Sequence, residues 1–169
     1  MLLLFFSSQL LQAQSDRNSE YRIKAVFLYN FTRFVDWPPT AFSFSTDPFI
    51  IGIIGKDPFD TYLEEAVIGE HVGTHPIIIR RIDDWREIPN CHILYINSND
   101  PGRIKTILSS LADRNILTVS ESPDFPRLGG IVRFFTEKNK IRIEINALAA
   151  KAAQLNISSK LLGVAQVYN

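Results

Sequence analysis

The chain has 169 residues, 46% hydrophobic and 21% charged, enough for one domain with a substantial core. Its 18 basic and 18 acidic side chains cancel, which leaves no overall positive field to draw in nucleic acid or an anionic membrane surface. The single cysteine, Cys91, excludes an intrachain disulfide framework and leaves too few thiols for a structural zinc site.

Leu2, Leu3, Leu4, Phe5, Phe6, Leu10 and Leu11 precede the small residue Ala13, the pattern of an apolar region and cleavage edge in a secretory signal. Residues 1–13 are therefore expected to be a signal peptide, although no Lys or Arg precedes the run and Leu11 stands where a second small residue is usual. The run is too short to span a bilayer as a helix, so no membrane insertion of the mature chain is expected. Residues 14–20 are polar and read as a flexible lead-in to a single domain over 21–169.

Tyr21 to Asp36 carries Ile23, Val26, Phe27, Phe31, Phe34 and Val35 at helical spacing, and Pro38-Pro39 stops the helix. Phe49 to Ile54 is an unbroken apolar run that fits a strand buried on both faces of a mostly parallel sheet. Asp57 then reads as an N-cap with Pro58 in the first helical position and Phe59, Leu63, Ala66 and Val67 as an inward stripe. Further strands are predicted at Pro76–Ile82, Cys91–Asn97 and Ile116–Ser120, with an Asp100-Pro101 helix start between the last two.

After a Pro- and Gly-rich loop over 121–130, two alternating runs around Lys138-Asn139 predict an antiparallel hairpin. A two-residue turn sets Val132 opposite Ile145, Phe134 opposite Ile143 and Thr136 opposite Ile141 on one face. The other face pairs Arg133 with Glu144, Phe135 with Arg142 and Glu137 with Lys140. A slip of one residue would spoil both faces. A short alanine-rich helix over Ala147–Gln154 and a last helix capped by Ser158 and holding Leu161, Leu162, Ala165 and Val167 complete the chain. The fold class is α/β: three layers, α/β/α, around a mixed sheet of about five or six strands, parallel in its first part and closed by the hairpin.

Ligands of open α/β sheets bind beyond the carboxyl ends of the strands, here Gly55-Lys56-Asp57, Asn97 to Asp100 and Ser120 to Ser122. Lys56, Asp57 and Ser120, with Ser158 and Lys160 at the last helix start, are the candidate residues for a small anionic ligand. An ordinary capped helix accounts for the same residues, and neither a Walker-type loop nor a G-x-G-x-x-G match is present. His71 and His75 have ligand spacing, but Gly69, Gly73 and Pro76 oppose a helix there and no third ligand is indicated. Cys91 and His92 are adjacent on a strand and point to opposite faces, which disfavours a nucleophile pair. No catalytic constellation, metal site or cofactor motif emerges, and the chain is read as a non-enzyme.

Several segments, in order from residue 21 to the end, resemble the YfiR family of exported bacterial regulators. They are the run Lys24 to Pro38 ending in Trp37-Pro38, then Gly55-Lys56-Asp57-Pro58-Phe59, Thr118-Val119-Ser120, Gly129-Gly130-Ile131, Ile143-Glu144-Ile145-Asn146 and Ile157-Ser158-Ser159-Lys160-Leu161-Leu162. The resemblance implies a periplasmic, non-enzymatic protein that binds the periplasmic domain of an inner-membrane signalling protein and represses it. That target is a diguanylate cyclase in the best-understood members, and a histidine kinase could replace it. The aromatic surface around Phe31, Phe34 and Trp37 is the candidate partner-binding surface. Some members carry disulfides linked to periplasmic oxidation; with Cys91 alone, oxidation could act here only through a homodimer bridged at Cys91 or through another protein. A small-ligand sensor for an anionic metabolite, using the strand ends, is the alternative.

Overall fold

A computed structural model describes the backbone of residues 3–168 and the side chains of residues 16–168. The side chains of the expected signal segment, 1–13, lie outside the described residues, as do Met1, Leu2 and Asn169 altogether. The helix α1 (Leu3–Phe34) continues through 14–20, where a flexible lead-in was expected, and then enters the short strand β1 (Val35–Asp36). Among the described residues no helix is long and apolar enough to cross a membrane.

The six strands read from the sequence all form. They are β2 (Phe49–Ile54), β4 (His75–Ile82), β5 (Ile93–Ile96), β6 (Leu117–Ser120) and the hairpin strands β7 (Val132–Glu137) and β8 (Lys140–Asn146). Short strands β3 (His71–Val72) and β10 (Gln166–Tyr168) extend the sheet to eight strands, in the order β10-β8-β7-β6-β5-β2-β4-β3. A separate pair is formed by β1 and β9 (Asn156–Ile157). From β4 to β7 all neighbours are parallel, and the hairpin pairs antiparallel. The expected count of five or six omitted the short edge strands, which carry too few residues to show an alternating pattern.

Helices cover both faces. On one, Ala25, Leu28 and Phe31 of α1 and Val35 of β1 meet Phe49, Ile51, Ile53, Tyr95, Val119, Phe134 and Ile145, with α2 (Tyr62–Val67), α4 (Ala147–Ala152) and α5 (Ser159–Val164) beside them. On the other, Ile104 and Ile107 of α3 (Pro101–Ser110) pack with Ile54, Ile82, Leu94, Ile96 and Phe125. The α3 start is capped as expected: Asp100 accepts from the N–H groups of Gly102 and Arg103 at 2.9 and 3.3 Å.

Besides α1, two helices depart from their expected boundaries by more than two residues. Asp57 is not the cap of α2: it accepts from Phe59 N–H at 2.8 Å and from Arg81 Nε at 2.8 Å, and Asp60 turns to φ +52° before the helix begins at Tyr62. Attraction to Arg81 holds Asp57 towards β4, and the left-handed Asp60 breaks any helix begun at Pro58. The last helix ends at Val164, because Gln166–Tyr168 pairs in parallel with Glu144–Asn146 of β8 instead of extending it.

Candidate functional site

Reduced to its five longer parallel strands, the sheet has the order second, first, third, fourth, fifth, and the crevice where the order reverses lies beyond β2 and β5. Here that crevice is closed by the chain itself. Asn97 Nδ2 donates to Lys56 O at 2.6 Å, and Gly55, at φ +91°, lies so close that a Cβ would sit 2.5 Å from Asn97 O. Lys56 points to solvent beside a sealed turn.

The other residues proposed for an anionic ligand do not converge there. Asp57 is engaged by Arg81. Ser120 is buried, donates to Ile96 O at 2.7 Å and accepts from Ser122 N–H at 3.3 Å, a role in joining β6 to the following loop. Ser158 caps α5 by accepting from Leu161 N–H at 3.3 Å, and its own N–H donates to Phe34 O at 2.8 Å at the far end of α1; Lys160 is exposed beside it. Ser158 and Lys160 thus stand at the opposite end of the sheet from Lys56.

What fills the carboxyl end of the sheet is a buried ionic cluster that the sequence reading did not single out. Lys24 of α1 is 1% exposed, and its ammonium lies 2.6 Å from Glu121 Oε2, just past β6, and bonds Glu20 one turn earlier. Tyr95, on β5, donates its hydroxyl to the other oxygen of Glu121. The Tyr21 ring stands 4.6 Å from the same ammonium. Burial first, and then the Glu121 charge, raise the Tyr21 phenol to about 12 and raise Tyr95 as well, so both stay protonated donors. The cluster ties α1 to two strand ends. Each member is engaged by another, so it reads as a structural lock between α1 and the sheet.

The proposed partner residues separate. Phe31 is 1% exposed and stacks on Phe134 at 5.9 Å; it belongs to the core. Trp37 is half-buried, edge-on to Phe49 at 4.8 Å, with its indole N–H donating to His92 O at 3.1 Å. Phe34 is half-buried against the core. The apolar surface that α1 does leave in solvent runs on another side, through Ile23 and Val26, each 46% exposed, with Phe27 and Phe34 at its edge. Ile23, Phe27, Asn30 and Phe34 recur at helical spacing and share a stripe. Ile23 and Phe27 also line a groove of about 590 Å³ between α1 and the hairpin tip, with Thr136, Lys140 and Ile141 opposite.

Cys91 is buried, and burial pushes its thiol up to about 12, so it is held as an unreactive SH. His71 and His75 lie on a β3–β4 turn, where each ring Nδ1 contacts a backbone carbonyl, Gly69 O at 3.1 Å and Asp47 O at 2.6 Å.

Among curated proteins none matches the chain. A family model described as YfiR/HmsC-like matches residues 21–166, from the start of the packed part of α1 to the first residue of β10. Landmarks of the earlier resemblance have identifiable structural roles: Trp37 closes the end of α1, Gly55 the sealed turn, Ser158 the α5 cap, and Gly130 a spot where a Cβ would meet the Phe125 ring at 2.3 Å. With the model covering nearly the whole described domain, the chain belongs to the YfiR/HmsC-like family.

Proposed function

We propose that the chain is a periplasmic regulator that binds the periplasmic domain of an inner-membrane signalling protein, a diguanylate cyclase in the first instance, and holds it inactive. The family match over residues 21–166 carries this reading, because the family implies a regulator of that kind. Repression requires preference for the inactive receptor state, since equal affinity for both would shift nothing. The signal-like residues 1–13 agree with export.

The docking surface we assign is the exposed α1 stripe of Ile23 and Val26 with the adjoining groove at the hairpin tip, in place of Phe31 and Trp37. Apolar side chains half in solvent beside a concave wall suit an anchor-in-groove contact. The test is mild crosslinking of the tagged chain in its own cell envelope, followed by identification of what co-purifies. The native chain is expected to retain an inner-membrane cyclase or kinase. Ile23→Glu with Val26→Glu is expected to lose it by about tenfold or more while the melting temperature stays within a few degrees, as surface substitutions do. Recovery of the native chain alone, where another envelope complex survives, refutes the regulator reading. Retention by the double variant refutes the surface only.

A further inference from the structure

Residues 37–48 cross the amino ends of β2, β4 and β5 as a strap, and two imidazoles hold it. His92, just before β5, is 4% exposed and stacks on Phe42 and Phe49, with ring centroids 4.3 and 4.6 Å away. Its Nδ1 accepts from Ile50 N–H at 3.0 Å, and its Nε2 faces Ala41 O at 3.2 Å. A carbonyl can only accept, so the ring is neutral with its proton on Nε2. The other imidazole, His75, stacks on Phe42 at 3.8 Å and bonds Asp47 O. Thr74 Oγ1 donates to Ser45 O at 3.0 Å, and Trp37 donates to His92 O.

We propose that this strap is an acid-released clamp: protonation of His92 breaks its bond from Ile50 N–H and frees residues 37–48, uncovering the apolar faces of Trp37, Phe42 and Phe49 while the sheet stays folded. The second proton has one place to go, Nδ1, where it would face the Ile50 N–H donor across 3.0 Å. The surroundings do not favour the cation. Asp47 on the strap is the acidic group that faces it; His75 on β4 opposes the cation, and Arg114, on the loop before β6, stands beside neighbouring Cys91. From β2 the facing ring is the apolar Phe49, and β6 meets His92 through a backbone bond, Leu117 N–H to His92 O at 2.8 Å. Burial above all, and His75 in addition, depress His92 to about 4, against the opposing pull of the Ala41 carbonyl and Asp47.

The direction follows by linkage. A released imidazole titrates near its ordinary value of about 6.5, so the clamp has full strength above that pH and weakens as pH falls from about 6.5 towards about 4, by up to about tenfold per pH unit in the clamped-to-released ratio. Below about 4 both states carry the proton and the ratio changes no further. The release is a property of this domain and needs no receptor, so it stands or falls apart from the proposed function.

The protein's two tryptophans make the test direct: in a full-length Trp85→Phe variant, Trp37 alone reports on the strap. Lowering the pH from 8 to 4 is expected to red-shift Trp37 emission with a midpoint between about 4 and 6.5, while far-UV circular dichroism is unchanged. His92→Asn places a non-titrating amide oxygen where Nδ1 accepts from Ile50, and is expected to abolish the step. No step, an unaltered step in His92→Asn, or a step coincident with loss of circular dichroism overturns the proposal. Should His92→Asn not fold, NMR titration of the unsubstituted protein decides. Titration of the His92 ring together with loss of Ile50 amide protection supports the clamp, and titration near 6.5 without that loss overturns it.

Discussion

An ammonium taken out of water is tolerated when carboxylates replace its lost hydration, and Lys24 meets that condition with Glu20 and Glu121. The two partners are not equivalent. Glu121 also accepts the Tyr95 hydroxyl, so its removal strands both a buried cation and a buried phenol. Glu121→Ala is therefore expected to destabilise the fold by about 3 kcal/mol, near the lower end for breaking a buried pair because Glu20 remains. Lys24→Met should cost less, about 1 kcal/mol, since it keeps the volume and leaves Glu121 with the Tyr95 hydroxyl and partial access to water. Urea unfolding with an unchanged slope measures both, and equal losses would show that Glu121 has no role beyond pairing Lys24. The sequence did hold a signal for this cluster. Lys24 lies on the same helical stripe as Leu28, Phe31 and Val35, and a lysine in an inward arc calls for a buried acid. Which acid could not be read, because Glu121 is 97 residues away along the chain.

At the scale of elements, legibility followed the strength of local pattern. The hairpin formed with all six cross-strand pairs in the predicted register, since two alternating faces admit one alignment. Arg133 and Glu144 meet at 2.8 Å as expected. The cation over Phe135 is Arg133, at 5.0 Å on the same strand, and not Arg142, which turns towards Glu137 at 3.6 Å. Backbone register was determined by apolar alternation, whereas the long arginines had several acceptors to choose from. The α2 start was misread because a local rule, Asp followed by Pro, lost to a tertiary partner, Arg81. The turn itself remains improvable: Lys138 and Asn139 both adopt positive φ, +49° and +59°, and lysine is a poor resident of that region. Replacing the pair by Asn-Gly is expected to stabilise the domain by about 1 kcal/mol and raise its melting temperature by about 2–4 °C. A lower melting temperature would mean that the Lys138 side chain contributes more than its backbone strain costs.

For the whole molecule, the central parallel strands were readable because β2 and β5 are apolar on both faces. The sheet's ends were not, since β3 and β10 hold their places by backbone pairing and carry no pattern of their own. Which side of α1 faces solvent was also hidden: apolar residues surround much of the helix, and only the packed structure separates Ile23 and Val26 from Leu28 and Phe31. This architecture implies a gradient of local stability from centre to edge. β2, covered by α1 on one face and by the α3 cluster on the other, is flanked by β4 and β5, so its amides open only when both cores are lost. β10 has one neighbour, β8, and its exposed Val167 adds little burial, so it can detach without disturbing either core. Native-state hydrogen exchange should therefore find Ile51 and Ile53 among the slowest amides, exchanging through global unfolding. The edge amides that β10 and β3 pair into the sheet should exchange at least about a hundredfold faster. Equal protection at β10 and β2 would mean that the carboxyl-terminal strand is an integral part of the folding unit, and that the structure unfolds without a separable edge.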